Sequence, residues 1–301
     1  MRRFILVLSM FLAGPAVQAA PHVVASFPPL QSVVAGVMDG VGTPETLVRG
    51  GGSPHGYALR PSDARLLEAA DLVVWIGPQY EAFLAKPLAA FAGRARSLTV
   101  AGIDDVTKLP AREGGAWEDD GHHHAHAEGG IDGHMFLDPA NMKLLAAAAA
   151  EALVAIDPPN AARYRNNAKA TQARLDALDA ELGAKLRPLA GRPFIVFHDA
   201  YQYLERRYGL TGAGSVTVDP ERRPGALRIQ KIRERVRRAE ATCVFAEPQF
   251  EPGLVRTIVE GTSARMGTLD YVGVGIPPGP EAYAAIMRAL AGSFSACLSR
   301  P

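Results

Sequence analysis

Short apolar runs alternate with amphipathic stretches along most of the chain. HVVASF (22–27), ETLVRG (45–50), DLVVWIG (71–77) and RSLTV (96–100) have the length and composition of strands. DLVVWIG is apolar without interruption, the pattern of a strand covered on both faces of a parallel sheet. Between them PPLQSVVAGVMDG, RPSDARLLEAA and PQYEAFLAKPLAAF predict helices, the first opened by prolines and closed by glycine. The alternation resumes at FIVFHD (194–199). It runs through AYQYLERRYG, LTGAGSV, PGALRIQKIRERVRRA, TCVFAEP, PGLVRTIVEGTS and RMGTLD to a closing helix, GPEAYAAIMRALAGSFSACL. Such alternation predicts right-handed crossovers and open α/β sheets.

The middle of the chain breaks this rhythm. DPANMKLLAAAAAEALVAI (138–156) predicts a helix with Asp138 as its N-cap and Pro139 at its first position. In the next segment, 157–189, Tyr164, Ala168, Thr171, Leu175, Leu178, Leu182 and Leu186 form one apolar stripe at helical spacing. No Gly or Pro interrupts it before Gly183, so one long helix is expected, of about 30 residues and about 45 Å. The fold class expected is α/β, two open-sheet lobes joined by a single long backbone helix. The N-terminal lobe would span 21–156, the linking helix 157–188 and the C-terminal lobe 189–301. No strong sequence repeat relates the lobes. From Asp104 to Asp132 the pattern stops, and Gly, Asp, Glu and His dominate a loop whose histidine-rich part is 113–132.

Composition narrows the setting. A chain of 301 residues, 48% hydrophobic, can bury a sizeable core and suggests about two domains. A net charge of +1 gives no general reason to bind nucleic acid or an anionic surface. Residues 1–20, MRRFILVLSMFLAGPAVQAA, have the layout of a secretory signal peptide, with cleavage after Ala19 or Ala20. Its apolar run is too short to span a bilayer, and a soluble exported protein is expected. In an oxidising compartment the two cysteines, Cys243 and Cys297, are expected to pair, tying a strand start to the end of the last helix. Two buried thiols, or two metal ligands, are the alternatives.

Five of the eight histidines lie in EDDGHHHAHAEGGIDGHMFLDP (118–139). Three histidines stand at element ends: His55 in the turn after the second strand, His134 before the Asp138 cap, and His198 at the end of FIVFH. Open α/β sheets bind ligands at the carboxyl ends of their strands, so these points can meet in one cleft. Asp270 ends RMGTLD. Three imidazoles and one carboxylate make a tetrahedral set that suits Zn2+, whereas a carboxylate in place of His198 would favour Mn2+. The basic stretch ERRPGALRIQKIRERVRRAE, with Leu227, Ile229, Ile232 and Val236 as its buried side, is expected to be a solvated helix face, with docking on a membrane protein as the alternative. RGGGSP lacks the Lys-Ser/Thr of a phosphate loop, and there is no H-E-x-x-H and no serine-centred elbow.

GGSPHGYALRPSDARLLEAADLVVWIGPQYEAFL, GHMFLDP, FHDAYQYLERRYGL, TCVFAEPQF and RMGTLD together resemble the zinc-binding periplasmic solute-binding proteins of zinc ABC importers, the ZnuA-like group of metal-binding cluster A-I. The resemblance spans nearly all the mature chain. It implies two lobes on a rigid long helix, with zinc between them held by His55, His134 and His198. It implies delivery of Zn2+ to an inner-membrane ABC permease from the periplasm, with a periplasmic metallochaperone as a further partner, no nucleic acid, a monomer, and no enzymatic activity. Some relatives carry a glutamate just before the first histidine; here it is Pro54. The fourth position then falls to Asp270 or to water. Glu247, also at a strand end, is expected either to hydrogen-bond a ligating histidine or to play a plain structural part. The acidic loop with His122, His123, His124 and His126 matches the histidine-rich loop of zinc members and is expected to capture zinc weakly and exchangeably, with a solvated linker of incidental metal affinity as the alternative. Two alternatives carry different chemistry: a zinc-dependent hydrolase, with Asp199 or Glu247 as base, and a metal-binding adhesin or buffer without a permease.

Overall fold

The computed structural model describes residues 19–49, 51–90, 95–112, 130–217, 220, 224–238 and 241–299. Residues 1–18 of the expected signal peptide, and His122, His123, His124 and His126, lie outside them. The first sheet holds β1 (Val23–Ala25), β2 (Glu45–Thr46), β3 (Leu72–Trp75) and β4 (Arg96–Thr99). Its strands are all parallel, in the order β2-β1-β3-β4. The second holds β5 (Pro193–His198), β6 (Thr211–Thr217), β7 (Cys243–Ala246) and β8 (Arg265–Thr268). It is also parallel, in the order β6-β5-β7-β8. The two lobes therefore repeat one strand order without a visible sequence repeat. In each, the chain leaves the first strand for one edge and returns to the other side, which opens a crevice beyond β1 and β3 and beyond β5 and β7.

The helices are α1 (Pro28–Val37), α2 (Pro61–Ala69), α3 (Ala82–Ala90), α4 (Pro139–Ile156), α5 (Ala161–Leu186), α6 (Gln202–Tyr208), α7 (Ala226–Arg238), α8 (Gly253–Val259) and α9 (Ala282–Leu298). α5 is the expected long helix, 26 residues or about 39 Å. It is shorter than the stripe suggested because prolines at 158, 159 and 188 tighten both ends into 3-10 turns. Every residue of the expected stripe, from Tyr164 to Leu186, is buried. Asp138 caps α4 as expected, its carboxylate accepting the Ala140 N–H at 2.8 Å. α4 is long and apolar enough to cross a membrane, yet Met142, Leu145, Ala149 and Leu153 are buried in the core against α1 and α5. α1 reaches α5 closely at Gly36, where a Cβ would lie 2.7 Å from the Thr171 hydroxyl oxygen.

One core runs through both lobes. Phe27, Phe136, Tyr164, Leu178, Phe194, Tyr271 and Phe294 belong to the same buried cluster, and smaller clusters back each sheet on its outer side. The C-terminal helix α9 joins in. Tyr283 donates its N–H to Ser32 Oγ on α1 at 2.8 Å and its hydroxyl to the Phe136 carbonyl at 2.9 Å. Cys243, at the start of β7, is disulfide-bonded to Cys297 of α9. On α7, Ile232 and Val236 are buried and Ile229 is partly covered, but Leu227 is exposed. Two residues from Ile229 is about 200° around a helix, so Leu227 belongs to the outer face.

Glu81 sits in the N-terminal crevice. It accepts the Ile76 and Gly77 N–H groups at 2.8 and 3.1 Å and is hydrogen-bonded to Ser26 beyond β1. Burial pushes its carboxyl up from 4.5 to about 7, against the lowering effect of these donors. A raised pKa means that the folded chain holds the proton more tightly than the unfolded chain. The stabilisation is then complete below pH about 4.5, is lost as pH rises toward 7, and is flat above. Unfolding of the metal-free protein in urea should show the wild type losing on the order of 3 kcal/mol relative to Glu81→Gln across that window. Parallel pH profiles for the two proteins would refute this.

Candidate metal centre

Three separate elements deliver one histidine each. His55 lies in the turn beyond β2, where its N–H donates to Ser53 Oγ at 3.3 Å. His134 opens a 3-10 turn, His134–Leu137, that leads into the Asp138 cap of α4. His198 is the last residue of β5, at the crevice of the second sheet. The His134 Nε2 atom lies 3.1 Å from His55 Nε2 and 3.2 Å from His198 Nε2. The ligand atoms of all three fall within 4.8 Å of one another. His134 and His198 are buried, and His55 is partly covered.

The outward nitrogens of the two buried rings meet carboxylates. His134 Nδ1 is 2.8 Å from Asp132 Oδ1, which also accepts the His134 N–H at 2.9 Å. His198 Nδ1 is 2.7 Å from Glu247 Oε2, and Tyr201 donates its hydroxyl to the other Glu247 oxygen at 3.3 Å. A carboxylate on Nδ1 assigns the ring proton there and leaves the lone pair on Nε2. The Nε2 lone pairs of these two rings then lie 3.2 Å apart, where they repel one another unless a cation lies between them. A tetrahedral zinc with Zn–N bonds of about 2.0–2.1 Å has N–N edges of about 3.3–3.4 Å, close to the two spacings at His134. Two buried carboxylates balance a divalent charge. Burial, then the neighbouring His134 and His198, hold the His55 imidazole well below its usual pKa of 6.5, so it is neutral and ligand-ready near pH 7.

Aromatic rings wall the centre. Tyr80 lies 4.7 Å from the His55 ring and 5.1 Å from the His134 ring, and Tyr271 lies 5.9 and 5.4 Å from those of His134 and His198. The wall is tight: a Cβ on Gly133 would meet Tyr80 Cβ at 2.6 Å.

Asp270, expected with water as one of two candidates for the fourth position, is not among the three residues whose ligand atoms lie within 4.8 Å of one another. Its Oδ1 accepts the Val272 and Gly273 N–H groups and Gln249 Nε2, and its Oδ2 accepts the Val274 N–H. The carboxylate builds the 270–274 turn, a use that a strand-end position in sequence does not distinguish from ligation. Asp132 is the residue that sequence reasoning missed. Its signal was the short D-G-H spacing, which lets one carboxylate reach both the N–H and the ring of the histidine two residues on. Tyr80 and Tyr271 carried no signal, because each reads as an ordinary core aromatic.

The family model for the zinc-uptake complex component A, periplasmic (ZnuA), matches residues 23–297, which include every residue of this centre. The chain belongs to this family. A high-affinity zinc uptake system protein ZnuA of Brucella suis biovar 1 (strain 1330) is 45% identical over 308 residues, covering 92% of each chain. Among solved structures, a crystal structure of ZnuA superposes with a TM-score of 0.79 at 26% identity, covering 93% of this chain and 99% of that one. A 138-173 ZnuA deletion mutant with zinc bound gives 0.78 at 25%, covering 94% and 99%. As in the ZnuA family, two parallel sheets flanked by helices are joined here by one long helix.

Glu247 gives the most direct probe of how the centre is held. Glu247→Ala should leave His198 Nδ1 without its acceptor and weaken zinc binding about 10- to 100-fold. Glu247→Gln, which keeps an oxygen in place, should lose less. Competition against a chromophoric chelator measures both, and an Ala variant that binds like the wild type would remove Glu247 from the site.

Proposed function

We propose that this chain is the periplasmic zinc-binding component of a zinc uptake system, and that His55, His134 and His198 hold the ion it carries. The observation that carries this is the convergence of three Nε2 atoms, two of them on rings oriented by buried carboxylates. For the fourth position we favour water over Asp270, a reading supported by the N–H groups of its own turn that the Asp270 carboxylate accepts. An inner-membrane ABC permease is the receiving partner, which family membership supports. The division into lobes 21–156 and 189–301 about helix 157–188, removal of residues 1–20 on export, and a monomeric working state belong to the same proposal. So does weak zinc capture by His122, His123, His124 and His126.

A hydrolase reading gains nothing from the geometry. Asp199 and Glu247, the two candidate bases, are engaged by Arg112 and His198 respectively. The test is calorimetric titration of the metal-stripped mature protein with Zn2+, then with Mn2+ in competition. One tight zinc site per chain that Mn2+ displaces poorly is expected. No tight site, or preference for Mn2+, would overturn the proposal.

A further inference from the structure

The segment that carries His134 is gripped from the opposite lobe. Pro110 and Ile131 form an antiparallel bridge, closed by the Ala111 N–H on the Gly130 carbonyl at 2.7 Å. Gln202, the first residue of α6, donates its side-chain amide to the Pro110 carbonyl and to Asp132 Oδ2, both at 3.1 Å. Beside it, the Tyr203 hydroxyl donates to the Asp132 carbonyl and accepts the Leu109 N–H, both at 2.9 Å. Arg112 reaches the other way. Its Nε donates to Asp199 at 2.8 Å and its Nη1 to Glu205 of α6 at 2.7 Å. Asp199 directly follows His198. The arginine and both carboxylates are largely buried, with side-chain exposures of 22%, 11% and 10%.

Asp132 therefore stands between two lobes. One oxygen orients His134, and the other is held by Gln202. We propose that Gln202, backed by the Arg112 bridge, is a positioning residue for the metal: it fixes Asp132, and through it the His134 ring, only while α6 lies against residues 109–112 and 130–132. The proposal rests on the three-histidine centre being the zinc site. Its consequence is a mechanical coupling. Drawing α6 away from these residues removes the donor on Asp132 Oδ2, leaves the carboxylate held through Oδ1 alone, and loosens His134 without any change in the ligands. By linkage, bound zinc strengthens the same contact between the lobes to the same degree.

The test uses the mature, full-length protein and zinc alone. Dissociation into excess chelator is followed by stopped flow for wild type, Gln202→Ala, the near-isosteric Gln202→Glu, and Arg112→Lys. Zinc should leave Gln202→Ala about tenfold faster, the lower end for partners that orient a ligating histidine. Gln202→Glu, which sets a second carboxylate against Asp132, should release at least as fast, and Arg112→Lys should fall between. The His134 Nδ1–H resonance should weaken or exchange faster in the Gln202 variants, a change that a merely structural role would not produce. In an Asp132→Asn background, Gln202→Ala should add little. Release within twofold of wild type in both Gln202 variants, or full additivity with Asp132→Asn, would overturn the proposal. If Gln202→Ala melts early, Gln202→Glu decides. Failure of the wild type to bind one zinc tightly would instead overturn the reading of the site itself.

Discussion

Replacing His134 with alanine should weaken zinc binding a few hundredfold, the largest effect expected of any single change. Structural zinc sites bind with roughly 10–16 kcal/mol shared over four ligands, so one imidazole accounts for about 2.5–4 kcal/mol. His134 is the central ring of the three, within 3.2 Å of both others, and it is the one whose carboxylate partner is shared across the lobes. Its removal also leaves Asp132 buried without its ring partner, an added cost. His198→Ala should be nearly as severe, and His55→Ala milder, because no carboxylate among the described residues orients its ring. Competition titration of the three variants checks this order. A His134→Ala protein that kept affinity within tenfold of wild type would place the ion elsewhere.

Loss of the disulfide should have the largest effect on the metal-free fold. Cys243 and Cys297 are 54 residues apart in sequence, and closing a loop of that size contributes about 4 kcal/mol in the chain-entropy account. The bond fastens β7, an inner strand of the second sheet, to α9, which packs on α1 and α5. Breaking it therefore weakens the contact between lobes as well as the second sheet. The double variant Cys243→Ala, Cys297→Ala should melt about 8–16 °C lower. Saturating zinc at a thousand times its dissociation constant should restore about 4 kcal/mol. Calorimetric melts with and without zinc measure both quantities, and a shift under 2 °C would show that the bond is dispensable.

Much of the fold was legible because its signals are local. The stripe from Tyr164 to Leu186 needs only helical spacing to declare itself, and all its members are buried. The Asp138 cap and the prolines around α5 act within one turn. Leu227 misled, since an apolar residue two positions off a stripe looks like part of it until the helix is docked. In the site, His55, His134 and His198 were legible as residues at element ends, and they do come together. Asp132 was not legible: its carboxylate meets the His134 ring, whereas that of Asp270 accepts N–H groups of its own turn, and which of these a carboxylate does is decided by a few dihedral angles.

The sequence by itself determined that strands and helices alternate, that one long helix divides them, and which imidazoles stand at turn-facing ends. Those properties depend on residues within a few positions of each other. Only the tertiary structure decided the repeated strand order, the approach of the His55 and His198 Nε2 atoms to within 3.1–3.2 Å of that of His134, and the grip of Gln202 and Arg112 across the lobes. Each of these joins groups tens of residues apart, and their meeting is fixed by how the lobes pack around a shared core rather than by any local preference of the chain.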